Sequence, residues 1–307
     1  MSRAGLNRLT PHATAILLLA ANVPDIDVAS AAWGSLAYLN YHRHLTHALV
    51  VAPLMAILPL LIVRLFAPKA MRWWQAYLMS LAGVLSHLAL DLTNVYGVRL
   101  LLPFSARWFR LDITHVIDPW ILGALILAVS ATALSGLIGS EIGEKRRPGR
   151  VAATLALAFL LLYDGARAVL HQRALSTLDS RVYSRSSPKR VAAFPREFNP
   201  FAWRGVVESG SSYLRFNVDV EGNFDPTDYR EIRFPEDGEA IRSARETEVF
   251  RDFLAFSQFP AWTVTPVSEP ANGFRVEATD LRFNGGFRAT AILDGQRKVV
   301  RAWFEFL

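Results

Sequence analysis

Three groups of polar side chains interrupt the apolar first half of this sequence. Pro24-Asp25-Ile26-Asp27 closes a short apolar run, His42-Arg43-His44-Leu45-Thr46-His47 opens the next, and His87 stands four residues before Asp91 in a third. Side chains four apart on a helix share a face, so His87 and Asp91 project together. Imidazoles and carboxylates without any thiolate are the ligand set of a hydrolytic divalent-metal centre, zinc first, with manganese or magnesium as alternatives. Such a cation polarises a substrate oxygen and lowers the pKa of bound water to about 7. The planar guanidinium of Arg43 suits an anionic oxygen such as a phosphate.

Each group also has a plain structural reading. Pro-Asp-x-Asp is a common turn. The histidines at 42, 44 and 47 could be interfacial residues with wet ring nitrogens, and a His/Asp pair in an apolar helix could be a buried hydrogen bond. Taken jointly, metal-type residues at the same end of three consecutive apolar segments favour a metal site. Asp118 precedes Pro119, and Asp at the N-cap with Pro at the first helical position is how helices commonly start, so capping and ligation both stand for it. Asp112 and His115 read as interfacial, and Asp164, Arg167 and His171 as an internal ion pair on one helix face. His12 begins the first helix, about 20 Å of helix from Asp25, and is left out. No phosphate-binding Gly loop, nucleophile elbow, catalytic triad or internal repeat is present.

The elements that must position these groups are membrane helices. About 20 apolar residues cross a bilayer. Pro119–Ser140, Ala48–Val63, Trp74–Leu90 and Val151–Leu170 are the candidates, and Ala13–Val23 is a shorter run that reads as a buried or half-spanning helix. Pro53 and Pro59 inside the second run are tolerable where neighbours satisfy the freed carbonyls. Trp73, Trp74, Trp108 and Trp120 fall at predicted helix ends, as an interfacial belt does. The composition agrees: 52% hydrophobic, 20% charged, mean hydropathy +0.22. Residues 1–171 carry 14 Lys+Arg against 8 Asp+Glu, which leaves 19 of each for 172–307, so the net +6 lies wholly in the apolar half. The absence of Cys excludes a disulfide scaffold and any Cys-ligated zinc or iron–sulfur centre. The pI near 9.8 is explained by basic connections between apolar runs, and no nucleic-acid partner is expected. Arg64, Lys69 and Arg72 in one connection and Lys145, Arg146, Arg147 and Arg150 in another place both on the cytoplasmic side. Residues 24–46, 92–117 and everything after 171 then face the other side.

Beyond residue 171 the pattern changes. Residues 172–189 read as a linker and 190–307 as a small soluble β-rich domain. Leu214, Phe216, Val218 and Val220 alternate with polar residues, the period of a half-buried strand. Further strands are expected over 274–283, 287–293 and 299–306, with positive-φ turns at Asn284-Gly285-Gly286 and Asp294-Gly295. Ser243 with Glu246 forms a capping box before an amphipathic helix at Val249–Leu254. The expected fold is thus a mainly α polytopic membrane bundle followed by an α+β domain.

These groups, in this order, resemble the bacterial inner-membrane-associated metal-dependent hydrolases of the YdjM type, also called LexA-binding hydrolases. The resemblance rests on Ala-Gly-Leu-Asn-Arg at 4–8, Pro-Asp-Ile-Asp at 24–27, His-Arg-His-Leu-Thr-His at 42–47, His87-Leu-Ala-Leu-Asp91, Tyr96-Gly97-Val98-Arg99-Leu100, Pro103-Phe104-Ser105, and Asp112 to Asp118-Pro119. It is close over residues 4–170 and looser through Asn199-Pro200-Phe201-x-Trp203. It implies a divalent metal site with Asp25, Asp27, His42, Arg43, His47, His87, Asp91 and Asp118 as the functional residues. A remoter likeness to zinc-dependent phospholipase C and single-strand-nuclease-like helical enzymes suggests phosphoester substrates by analogy. His44 stands where relatives usually have Gly, and Ala48 where they have Ser. Relatives also carry a Thr-His segment ahead of the Ala-Gly-Leu-Asn-Arg stretch, so either such a segment precedes Met1 or one ligand is missing.

The expectation is a membrane-embedded hydrolase of a phosphoester or lipid-like substrate. Asp25, His47, His87, Asp91 and Asp118 would bind metal, Asp27 and His42 would be a further ligand or the general base, and Arg43 would hold the anion. The alternative is a non-catalytic membrane scaffold or transport component whose β domain binds a protein partner.

Overall fold

The computed structural model describes residues 1–66, 71–141, 149–183, 186–236, 238–283 and 285–306, with backbone alone over 137–141. Lys69, Lys145, Arg146, Arg147 and Asn284 lie outside the described residues. The chain forms two compact units. The first comprises Met1–Asp27, Arg43–His171 and Pro195–Pro200, and the second Val28–His42, Gln172–Phe194 and Phe201–Leu307.

The first unit is helical: α1 (Ala13–Ala20), α3 (Ala52–Met55), α4 (Ile57–Phe66), α5 (Trp73–Thr93), α6 (Pro119–Glu141) and α7 (Arg150–Asp179), where α7 runs past the unit's edge. α2 (Ser35–Tyr41) belongs to the second unit. α5, α6 over Pro119–Gly136, and α7 are long and apolar enough to cross a membrane, and there are up to five spans if each bent helix pair counts as one. Only 6% of the apolar window is buried in α6 and in α7, against 39% in α5. α6 and α7 therefore present apolar surface on nearly all sides, which a bilayer accepts and water does not.

The apolar run expected at Ala48–Val63 is broken in two. Pro59 has no N–H to give the carbonyl of Met55, and the helix is interrupted at Ala56 between α3 and α4. Pro53 falls in the first turn of α3, where its missing N–H costs nothing. The run at Ala13–Val23 stops at Ala20, and the chain continues in 3-10 turns over Val23–Trp33. α1 packs on α4 and α5. Ile16, Leu17, Leu60, Val63, Ala76 and Met79 form one core cluster, and Ala20, Val23, Ala52, Val84, Leu88 and Val98 continue it. Gly83 is what lets α1 and α5 approach: a Cβ there would lie 2.7 Å from Ala20 Cβ.

The second unit contains two four-stranded antiparallel sheets, in the orders β1-β2-β3-β4 and β5-β6-β7-β8. The first sheet runs through β1 (Arg190–Pro195), β2 (Ala202–Ser209), β3 (Ser212–Asp219) and β4 (Arg230–Arg233). The second runs through β5 (Pro260–Val267), β6 (Gly273–Asp280), β7 (Phe287–Leu293) and β8 (Val299–Phe306). α8 (Gly238–Arg245) and α9 (Glu248–Phe256) lie between the sheets in sequence, and Phe250, Phe253 and Phe256 from α9 are buried with Phe194, Trp203 and Phe216.

Three local expectations are corrected. Ser243 lies inside α8, and the cap of α9 is Thr247, whose side chain accepts from Phe250 N. In the β7–β8 turn the positive φ falls on Arg297 (64°), because Asp294 Oδ1 accepts from Gln296 N and Lys298 N and sets a longer loop. α7 continues to Asp179, into the segment expected as linker.

Candidate metal centre

The candidate centre is assembled from three places in the first unit. The turn after α1 supplies Asp25 and Asp27, a single 3-10 turn at Leu45–His47 supplies His47, and the last two turns of α5 supply His87 and Asp91. One ligand-type atom from each of Asp25, His47, His87 and Asp91 lies within 4.8 Å of all the others. His47 Nε2 is 3.2 Å from His87 Nε2, 3.2 Å from Asp91 Oδ2 and 3.4 Å from Asp25 Oδ1. His87 Nε2 is 3.3 Å from Asp91 Oδ2 and 3.4 Å from Asp25 Oδ1.

The ring orientations follow from what the other nitrogens meet. His87 Nδ1 is 2.8 Å from the carbonyl oxygen of Ala21. A carbonyl can only accept, so Nδ1 carries the hydrogen and a neutral ring turns a bare lone pair inward at Nε2. Gly83 lies one helical turn before His87, and the close α1–α5 approach it allows brings Ala21 to the ring. His47 Nδ1 faces Asp27 Oδ2 at 3.1 Å, a carboxylate that fixes the same tautomer. Asp27 Oδ2 also accepts from Arg43 N at 2.9 Å and from the Thr46 hydroxyl. Asp27 thus stands behind His47 and orients it.

Asp91 is divided between its two oxygens. Oδ1 pairs with Arg43 Nη2 at 2.9 Å. Oδ2 is buried without a hydrogen-bond donor and faces the two Nε2 atoms. Arg43 is held in turn: Nη1 donates to Asn94 Oδ1 at 3.1 Å and to Gly97 O at 3.0 Å, and its carbon centre stands 4.7 Å from the Tyr96 ring. Asn94 Oδ1 accepts from Tyr96 N as well. Gly97 has φ +85°, and a Cβ there would meet Phe109 O at 2.8 Å, so the carbonyl that receives Arg43 depends on a glycine. Arg43 itself has φ 56°, an uncommon conformation for a side-chain-bearing residue.

Four acceptors meeting at one point repel unless positive charge sits among them, either protons on the rings or a cation. The donor set and spacing fit a cation. Ligand atoms at ~2.0–2.1 Å in a tetrahedral zinc site stand about 3.3–3.4 Å apart, and the five pair distances above run from 3.2 to 3.4 Å. The His47 side chain is fully buried and those of His87 and Asp91 nearly so, whereas that of Asp25 is 41% exposed, so the cluster opens on the Asp25 side.

Asp118 is placed elsewhere. Asp118 caps α6: Oδ1 accepts from Trp120 N and Ile121 N at 3.0 and 3.2 Å, and the Tyr163 hydroxyl donates to the same carboxylate. Its two structural alternatives, cap or ligand, resolve toward the cap, and it is not among the four clustered residues. His42 belongs to the second unit, where it is buried at the end of α2 and stacks on Tyr38 with ring centroids 4.6 Å apart. Arg43 points at Asp91 and at its own supporting loop. Sequence reasoning missed Thr46 and Asn94, which hold Asp27 and Arg43 respectively. Thr46 carries no signal beyond its place within the 42–47 motif, and Asn94 none beyond its place just after α5.

A helical unit with three to five candidate spans and an inward-facing His/Asp group that could hold a metal ion define a polytopic membrane protein with a candidate metal centre. Residues 2–174 match the family described as YdjM inner membrane protein, and the chain belongs to that family. It is also similar to the uncharacterized protein YfhP of Bacillus subtilis (strain 168), 24% identical over 274 residues, or 89% of this chain and 78% of that one. An alignment of that length extends beyond residue 174 into the β-rich region. No solved structure matches.

Proposed function

We infer that this protein is a membrane-embedded, metal-dependent hydrolase of a phosphoester or lipid-like substrate. One observation carries the reading: two histidines with their Nδ1 hydrogens committed outward and two carboxylates converge on one point, with Asp91 Oδ2 buried and lacking a donor. Asp25, His47, His87 and Asp91 hold the cation. Zinc suits this set best, and manganese or magnesium is the alternative. When bound, the cation supplies Lewis-acid polarisation of a substrate oxygen and draws the pKa of water toward about 7. Asp27 holds His47 in the ligating tautomer. Arg43 occupies Asp91 Oδ1 and so turns Oδ2 toward the histidines. Asp25, the exposed member, lies where substrate enters.

The test is elemental analysis of the purified full chain together with hydrolysis of bis(p-nitrophenyl) phosphate. The wild type is expected to hold about one equivalent of divalent metal per chain and to cleave the diester. His87→Ala with Asp91→Ala removes both properties while the protein stays membrane-inserted. Unchanged metal content in that double variant refutes the ligand assignment.

The basic connections between the apolar runs support a topology in which the centre and the residues after 171 face the outer side of the membrane. The chain contains no Cys. A single cysteine replacing the exposed Glu221 is therefore expected to react with a membrane-impermeant maleimide in intact cells. Reaction only after lysis would reverse the orientation.

A further inference from the structure

A groove of about 500 Å³ lies within the first unit, walled by α1, α6 and α7 and reached by residues 1–3. On α1 and its C-cap it is lined by Thr14, Leu17, Leu18 and Ala21, the spacing of a single helical face. On α6 the stripe is Leu125, Ala128 and Thr132, and on α7 it is Ala153 and Ala156. The hydroxyls along it are already satisfied: Thr14 and Ser2 pair at 2.7 Å, and Thr132 donates to Ala128 O at 2.6 Å. The walls therefore offer little to water, although Leu18 is 63% exposed.

The far end of the groove reaches Ala21, behind His87. Ala21, the residue that follows α1, is the one whose carbonyl accepts from His87 Nδ1, and the turn that follows carries Asp25, the exposed member of the cluster. α6 and α7 are candidate spans, so the groove lies at bilayer depth, where the surrounding solvent is hydrocarbon. Its volume falls within the ~300–1,000 Å³ typical of sites for small molecules. We propose that this groove binds one acyl chain of a bilayer lipid and presents that lipid's phosphoester headgroup to the Asp25 side of the cluster. This makes the substrate a phospholipid taken from the membrane itself. The substrate step rests on the hydrolase reading above, whereas occupancy of the groove does not.

The probe is phosphatidic acid carrying a diazirine on one acyl chain, incorporated with the full-length protein into phosphatidylcholine vesicles and photolysed, with adducts mapped by mass spectrometry. Label is expected on the α1 and α6 stripes in preference to Leu127 and Leu162, which are 71% and 75% exposed and lie outside the groove lining. Ala128→Trp fills the groove and is expected to lower that labelling about tenfold with metal content unchanged. Ala153→Leu provides a milder filling should the Trp variant not purify as a folded protein. Glycerol phosphate, which has no acyl chain, is expected not to compete. Equal labelling of groove and outward positions overturns the proposal, and so does competition by glycerol phosphate. A metal-free wild type with the groove still labelled would instead remove the hydrolase reading and leave the lipid site standing.

Discussion

Asp280 and Arg282 in the second unit are buried completely, as is His47 in the first, yet the two clusters are built on opposite principles. Arg282 Nε donates to Asp280 Oδ2 at 2.7 Å, Arg282 N to Asp280 Oδ1 at 3.1 Å, and Gln258 N to Oδ2 at 3.1 Å. Arg282 Nη2 reaches Phe256 O, and the guanidinium lies over the rings of Phe256 and Phe283. Donors there meet acceptors. Around His47 and His87 the Nδ1 donors have been turned outward to Ala21 and Asp27, and ring nitrogens and carboxylate oxygens are left facing one another. Buried charge alone therefore says little about function. A surplus of lone pairs, kept in place by a shell that satisfies everything else, says a great deal.

The sharpest way to break this contrast is to remove one partner from each cluster. Asp280→Ala leaves Arg282 charged and buried, and is expected to cost about 3–5 kcal/mol of stability. The measurement is denaturant unfolding of the detergent-solubilised chain followed by near-UV circular dichroism. Asp280→Leu combined with Arg282→Met is expected to recover much of that loss, because an apolar pair replaces a satisfied ion pair at little cost. Metal content is expected to be the same in both variants as in the wild type. A drop in metal would mean that the second unit contributes to the centre.

A smaller effect is expected from Asp27→Asn, which keeps the shape of the support behind His47 and removes its charge. Loss of such an outer carboxylate weakens metal binding roughly 10–100-fold. Competition with a chromogenic chelator reads that change directly, while the unfolding midpoint of the metal-free protein should barely move. If affinity is unaffected, Asp27 is not the group that orients His47.

Much of this arrangement can be read from the residues. The i, i+4 pair of His87 and Asp91 announces itself inside an apolar helix, and α6 and α7 are legible from length and hydropathy. So is β3 from its alternation, and β6, β7 and β8 from the apolar stretches between glycine-bearing turns. What escaped reading depends on contacts between distant residues. Residues 28–42, rich in Ala and Tyr, carry no local sign that they belong with the β-rich unit. The roles of Thr46, Asn94 and Asp27 are set by which neighbours they meet. β1, β2 and β5 lack clean alternation because consecutive residues are buried, as over Val206 and Val207, and β4 is only four residues long with none of them buried. Asp118 shows the ambiguity in miniature: Asp before Pro is compatible with both a cap and a ligand, and only the positions of Trp120 N, Ile121 N and the Tyr163 hydroxyl decide.

Gly83 has a consequence out of proportion to its size. By omitting one carbon it sets the spacing of two helices, and that spacing governs whether Ala21 can dictate which nitrogen of His87 keeps its proton. The identity of an atom presented to a cation is thus chosen by a carbon that is absent from a different residue, one turn away. Selectivity for one ion over another could drift in this family through the gauge of a helix pair, with every ligand left in place.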